Sequence, residues 1–469
     1  MSVRGSRVCI LIVYGNGVSL YSIFWQVISK IFQTTAFYNC SGLESIVIGE
    51  KVVTIGNSAF YGCSKLSSAT IPNSVTSIGT SAFYGCTGLE SVSISNNINS
   101  IQASTFYGCS KLTSVTIPDS ATSIGESAFY DCRALKRVVV GNGVKTIGAS
   151  AFYNCTALES TTLGNSVTTL GTNAFYYCTG ELIVNSGTFI ETDYSSTGYP
   201  MYSSSGWLYN AKFSSITIGG NISKIGAYAF CGCTSLTSVT ILDSVTTISI
   251  NAFYGCSVIE RIILPDNITE IKEGAFSGCN FLEEIHLPKN LNRIENKTFE
   301  GCYKLENIDM TNWETTSATD FTAMFNDCSN LEILDVSGLD TNNVTDMKSM
   351  FGYCSKLTSL DVSSFNTEKV TDMAYMFSRC KKLTSVNISG FNMNKVKDGT
   401  YMFQGCDNLT SVKLPSGLKE LSNHVFASCT KLASVDVSAC TGLEKIGNYC
   451  FEYSIITSFD FTPFAGELT

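Results

Sequence analysis

The sequence predicts a repeat solenoid of the α/β type. Each 23–26-residue repeat is expected to add one short parallel β-strand to a right-handed coil with a mostly irregular or short helical convex side. Three observations carry this expectation. Cysteines recur at a fixed interval, a phenylalanine stands three residues before nearly all of them, and a short apolar–polar alternation follows each one. A single such unit cannot bury its own Leu, Val, Ile and Phe, whereas a stack of them can.

The elements follow in chain order. Residues 1–33 are irregular. Arg4 and Arg7 precede the apolar run Val8 to Tyr14, and no charge falls between Arg7 and Lys30, which fits an export signal or anchor. The same stretch contains Gly-Asn-Gly-Val, which returns at Gly141 to Val144 inside an ordinary repeat, so a broken first repeat is the other reading. Residues 34–302 form an array of 23-residue units. Cys40, Cys63, Cys86, Cys109, Cys132, Cys155 and Cys178 are evenly spaced, and Cys233, Cys256, Cys279 and Cys302 resume the step after an insertion near 180–208. Asn210 sits where a cysteine is due. Residues 303–410 lengthen the step to 26, at Cys328, Cys354, Cys380 and Cys406, and residues 411–469 return to terminal units around Cys429 and Ser454.

Within a unit, "LTSVTI" (Leu112 to Ile117) is representative. Val115 and Ile117 alternate with Ser114 and Thr116, the period of a strand with one buried face. A turn follows, then Ser-Ile-Gly, then Ala-Phe. Only 15% of the 469 residues are charged, and the net charge of −9 argues against a nucleic-acid partner, which requires clustered Lys and Arg. Two histidines leave little from which to build a multi-histidine metal or acid–base site.

The cysteines are read as architecture. Cys63, Cys86, Cys109, Cys132, Cys155, Cys256, Cys279, Cys354 and Cys380 occupy equivalent places in stacked coils, where a small buried thiol packs well. Disulfides between neighbouring coils are the alternative, because the ~4.8 Å strand spacing does not forbid them. A zinc site would want close pairs, and Cys231-Gly-Cys233 is the one close pair in the chain. No metal or other cofactor is expected.

The 26-residue units read differently. "MFGYCSKLTSLDVSSFNTEKVTDMAYMF" (Met350 to Phe377) closely repeats the segment that begins at Met324. Together with the "IPxSVTSIGxxAFxGCxxL" unit, this pattern resembles the BspA-like leucine-rich-repeat proteins over about residues 36 to 455. The resemblance implies a secreted or surface-attached protein of a mucosal microbe, acting in adhesion to host matrix proteins or in cell–cell aggregation.

Outward strand positions of a solenoid form columns along one face. One column is lined by hydroxyls in its first half and then runs Asp309, Asp335, Asp361, Asn387, Lys413 and Asp436; its serine-rich neighbour is interrupted by Arg137 and Arg261. Like charges on adjacent strands repel, so the aspartates call for a reason. They are an anionic strip for a basic partner segment or a divalent cation, although hard cations want oxygens that converge and not a line of them, or they are acceptors for the amides and hydroxyls of their own Asp-Val-Ser turns. The insertion carries Tyr194, Tyr199 and Tyr202, aromatic anchors for a partner or replacements in the core. No zinc-protease helix, phosphate loop or nucleophile elbow is present, and every Ser or Cys is one of a series, so no catalysis is expected. The expected function is an extracellular binding protein, probing host matrix or other cells through protein contacts; the alternative is an intracellular interaction scaffold.

Overall fold

Every paired strand lies parallel to its neighbour in the computed structural model of the chain, which describes residues 30–185, 190, 208, 210–289, 291–310, 313 and 315–460. The largest sheet has eight strands: Ser114–Ile117, Arg137–Val140, Ser160–Leu163, Glu181–Val184, Ser215–Ile218, Ser238–Ile241, Arg261–Ile263 and Glu284–His286. The pairing keeps repeat register. Val115 sits opposite Val138, Val138 opposite Thr161, and Val239 opposite Ile262. In Ser114–Ile117 the exposed Ser and Thr alternate with buried Val and Ile, as the period-two pattern requires.

Each coil carries more strand than the sequence reading expects. A second ladder forms at the Ser-Ile of the Ser-Ile-Gly segments: Ser123–Ile124, Thr146–Ile147 and Thr169–Leu170 pair in one run, and Lys224–Ile225 to Arg293–Ile294 in another. Ile124 and Ile147 point into the core. One strand per repeat is therefore corrected to two in most of the 23-residue coils.

The α/β expectation is also corrected. Among the described residues, only Ile190 in the insertion has helical conformation, and the convex side of every described coil is made of turns. The reason lies in where the amides point. In an α-helix each N–H bonds four residues back. Here the amides of Ser58, Phe60 and Gly62 leave their own coil and donate to Thr80, Ala82 and Tyr84 of the next, while Ala59, Tyr61 and Cys63 donate three residues back. Such alternation needs left-handed residues at two places per coil. Ser58 (φ 51°) and Gly62 (φ 69°) supply them, and Asp131 (φ 59°) and Asn154 (φ 61°) stand where Gly62 does. Asn and Asp tolerate that region best after glycine, which is why the residue before the cysteine is so often Gly, Asn or Asp. The structure is a β-solenoid of stacked coils.

The interior is built in columns. Phe60, Phe83, Phe106, Phe129, Phe152 and Phe175 are fully buried and stack ring on ring at 5.0 to 5.4 Å. At the insertion Phe175 meets Phe213 edge to face, and stacking resumes from Phe230 to Phe253. The strand ladder itself is unbroken, since Glu181–Val184 pairs directly with Ser215–Ile218. The predicted sites Tyr194, Tyr199 and Tyr202 lie outside the described residues, as do positions 1–29 of the N-terminal segment.

In the 26-residue coils a buried threonine column, Thr315, Thr341 and Thr367, accepts the amides of Asp340, Asn366 and Asn392 one coil on. That column satisfies backbone donors in the longer turn. The second ladder there reduces to single bridges joining Asp320, Asp346, Asp372 and Asp398.

Candidate binding surface

The strand face assembles the columns expected from the sequence, with one member missed. Thr116, Val139, Thr162, Ile183, Thr217, Thr240, Ile263 and His286 follow one another in register. Ile183 enters from the strand just before the insertion, and beside it Glu181 enters the serine column between Ser160 and Ser215. The alternating Glu-Leu-Ile-Val was the available signal. The Thr217 hydroxyl donates to Glu181 Oε1 at 3.0 Å.

The basic residues of this face differ in their company. Arg261 reaches Glu284 on the next strand, Nη2 to Oε1 at 3.4 Å. Arg137, between Ser114 and Ser160, is exposed and has no carboxylate partner among the described residues. An exposed guanidinium on a hydroxyl-lined face is available for bidentate contact with an acidic partner group.

The acidic half is orderly. Asp309, Asp335, Asp361 and Asp436 are all exposed. Asp335 accepts the Ser337 amide, Asp361 the Ser363 amide and Asp436 the Ser438 amide, each at 2.9 Å. The hydroxyl and amide of Ser337 hold the Asp335 carboxyl below its usual range, against the repulsion of Asp309 and Asp361. Ser363 does the same for Asp361, and Ser438, helped by Lys413, for Asp436. Asp335, Asp361 and Asp436 are thus each held in an Asp-Val-Ser turn that favours the ionised form, and Asp436 Oδ2 also faces Lys413 Nζ at 3.8 Å. The turn bonds leave these carboxylates exposed.

The cysteine ladder contains free thiols. All nineteen described cysteines are unpaired, and all but Cys40 are buried. Each rung has the same partner one coil back: Cys109 donates its S–H to Phe83, Cys132 to Phe106, Cys155 to Phe129, Cys279 to Phe253 and Cys380 to Phe351. Cys256 and Cys354 follow suit at 3.1 and 3.2 Å. Burial pushes the Cys63 and Cys86 thiols up to about 12, and the deeper rungs well above their ordinary value. Nucleophilic chemistry needs the thiolate, which these sites disfavour.

A column that the sequence reading left unremarked is a stack of half-exposed tyrosines. Tyr61, Tyr84, Tyr107, Tyr130 and Tyr153 lie face to face with centroids 4.5–4.6 Å apart. Its signal was the Tyr of every Ala-Phe-Tyr-Gly-Cys. Farther on, His424 is sandwiched between Tyr401 and Tyr449 at 4.6 and 5.0 Å. Among the described residues, no group of three or more His, Cys, Asp or Glu side chains is placed to hold a metal ion, and no helix is long and apolar enough to cross a membrane.

Parallel coils of this length, most with a leucine followed at the third and fifth places by further apolar residues, define a leucine-rich-repeat solenoid. The chain belongs to the BspA-type leucine-rich-repeat family, whose model matches in six copies over residues 14–136, 54–182 and 204–332. Residues 294–414, which include the 26-residue coils, match a family described as a Mycoplasma protein of unknown function. Among solved structures, a leucine-rich-repeat protein from Bacteroides ovatus is 25% identical, with 86% of this chain and 80% of that one covered and a TM-score of 0.42. A leucine-rich cell-surface protein from Faecalibacterium prausnitzii is 21% identical, covering 82% of this chain and 83% of its own, with a TM-score of 0.28. No curated protein matches the chain.

Proposed function

We propose that this is a secreted or cell-surface binding protein, an adhesin that meets host matrix proteins or other cells through its strand face. The observation that carries the proposal is the continuity of that face. Adjoining strands present the same largely hydroxyl-lined columns from Ser114–Ile117 to Glu284–His286, and the coils that follow add the exposed aspartates Asp309, Asp335 and Asp361. Membership of the BspA-type family supports the same reading. Weak contacts repeated along such a face gain by multivalency. The reading is non-catalytic: the repeated Ser and Cys serve the coils, and the thiols are held protonated.

The test is protease treatment of intact cells carrying the tagged protein, followed by binding of the purified chain to immobilised matrix proteins. Loss of the tag from intact cells together with saturable binding is expected. Protection until lysis would overturn the surface reading and favour an intracellular scaffold, in which reduced thiols are the norm.

A further inference from the structure

One core column ends abruptly. Phe321, Met347 and Met373 fill equivalent places in successive 26-residue coils and are fully buried. The next member is Gly399. The equivalence is structural, because the residues just before them, Asp320, Asp346, Asp372 and Asp398, are bridged one to the next. At the same point the coil shortens from 26 residues to 23.

The neighbouring coils part along one seam there. Asp398 bridges back to Asp372, but the following short strand, Glu420–Leu421, pairs only forward, with Lys445–Ile446. The other two seams hold. Asn387 bridges Lys413 on the strand face, and on the turn side Tyr401 and Phe403 donate to Asn423 and Val425 at 3.1 and 2.9 Å. What opens between them is a cavity of about 200 Å³, lined on its apolar side by Met393, Val396, Met402, Leu414, Leu418 and Val425.

Its polar lining is one-sided. Lys397 and Lys419 are exposed, and neither forms an ion pair with a described residue. Glu420 also borders the cavity, but its carboxylate is held by Lys445 Nζ at 2.7 Å. The free charge at the opening is positive.

We propose that this cavity is a binding site for a small amphipathic carboxylate, its alkyl chain in the apolar interior and its carboxylate between Lys397 and Lys419. An apolar cavity of about 150 Å³ accommodates benzene, so this one suits a chain of about six to eight carbons. The charged head answers the two lysines, and the tail gains by leaving water.

Gly399 supplies the decisive variant. A Cβ there would meet only the Ser422 side chain, its hydroxyl at 3.2 Å, so a side chain can enter where Met373 does one coil earlier. The experiment is equilibrium dialysis of the full chain with labelled octanoate, with labelled n-octanol in parallel. Saturable one-site octanoate binding is expected, with n-octanol at least tenfold weaker. Gly399→Met should abolish binding of both. The double variant Lys397→Gln/Lys419→Gln should weaken octanoate tenfold or more and leave octanol unchanged. Absence of saturable octanoate binding overturns the proposal. So does equal affinity for the neutral alcohol, or octanoate binding that survives in a folded Gly399→Met chain. Should that variant not fold, the lysine pair, which alters only exposed side chains, decides alone.

Discussion

The thiol of Cys86 donates to the carbonyl oxygen of Phe60, one coil back, at 3.1 Å. The same oxygen accepts the Cys63 amide of its own coil at 3.2 Å. One carbonyl thus ties a turn shut and ties two coils together. Replacing Cys86 with Ala removes the second donor and leaves a void, at a cost of about 1–2 kcal/mol. Urea denaturation followed by circular dichroism measures it. Cys86→Ser, which keeps a donor, should lose less.

Thiol accessibility tests the same ladder without mutation. Cys40 is exposed and Cys86 buried, with its thiol pushed up to about 12. At pH 8 a maleimide should label Cys40 within minutes and reach the ladder peptides only after unfolding. Peptide mapping by mass spectrometry reads this directly. Rapid labelling of Cys109 or Cys132 in the native chain would show the coils to be open.

The phenylalanine column is the costliest to breach. Phe129 is fully buried, with rings 5.2 Å away on either side at Phe106 and Phe152. Phe129→Ala should cost about 3–5 kcal/mol. Because each coil touches only its neighbours, protease cleavage should then concentrate in the coils flanking residue 129.

Backbone conformation, independent of packing, is tested at Gly85 (φ 67°). A Cβ there would meet nothing nearer than Gly62 Cα at 3.9 Å, so space is not limiting. Gly85→Asn should be nearly neutral, as Asn154 already shows in the equivalent place. Gly85→Val should destabilise by roughly 1–2 kcal/mol, through left-handed strain alone.

Charge and turn can be separated at the acidic strip. Asn387 accepts the Ser389 amide at 3.1 Å in the same way that Asp361 accepts that of Ser363. Asp335→Asn with Asp361→Asn should therefore preserve the melting temperature while removing two charges. Binding to a basic partner should fall, and Asp335→Lys with Asp361→Lys should abolish it. Unchanged binding would confine the aspartates to their turns. The pH dependence has a definite sign. The folded-state carboxyls titrate below their ordinary value of 3.8, so whatever they contribute is complete above that value and fades as pH falls through their lowered range.

What a sequence reveals here depends on whether the informative bonds lie inside one unit. Val115 and Ile117 alternate with Ser114 and Thr116, so the main strand and its exposed columns were legible at once. The Asp-Val-Ser turns were legible too, because Asp335 and Ser337 are local partners. The convex side was not, since the amides of Ser58, Phe60 and Gly62 find their acceptors a whole coil away. Ser123–Ile124 escaped notice because two residues are too few to display a period. Glycine at 399 was visible in print, but its meaning depends on the bridges that align it with Met373.

The parted seam between Asp398 and Glu420 also has a mechanical consequence. Bonds that join one coil to the next run along the stacking direction, so a pull on the two ends loads every interface in series. A chain so loaded yields first where the fewest bonds share the force. That interface lacks its short-strand seam, as do those between Ser77–Ile78 and Ile101 and between Arg293–Ile294 and Asp320, so under tension the coils should part first at such places. A solenoid built this way would lengthen in steps and not all at once.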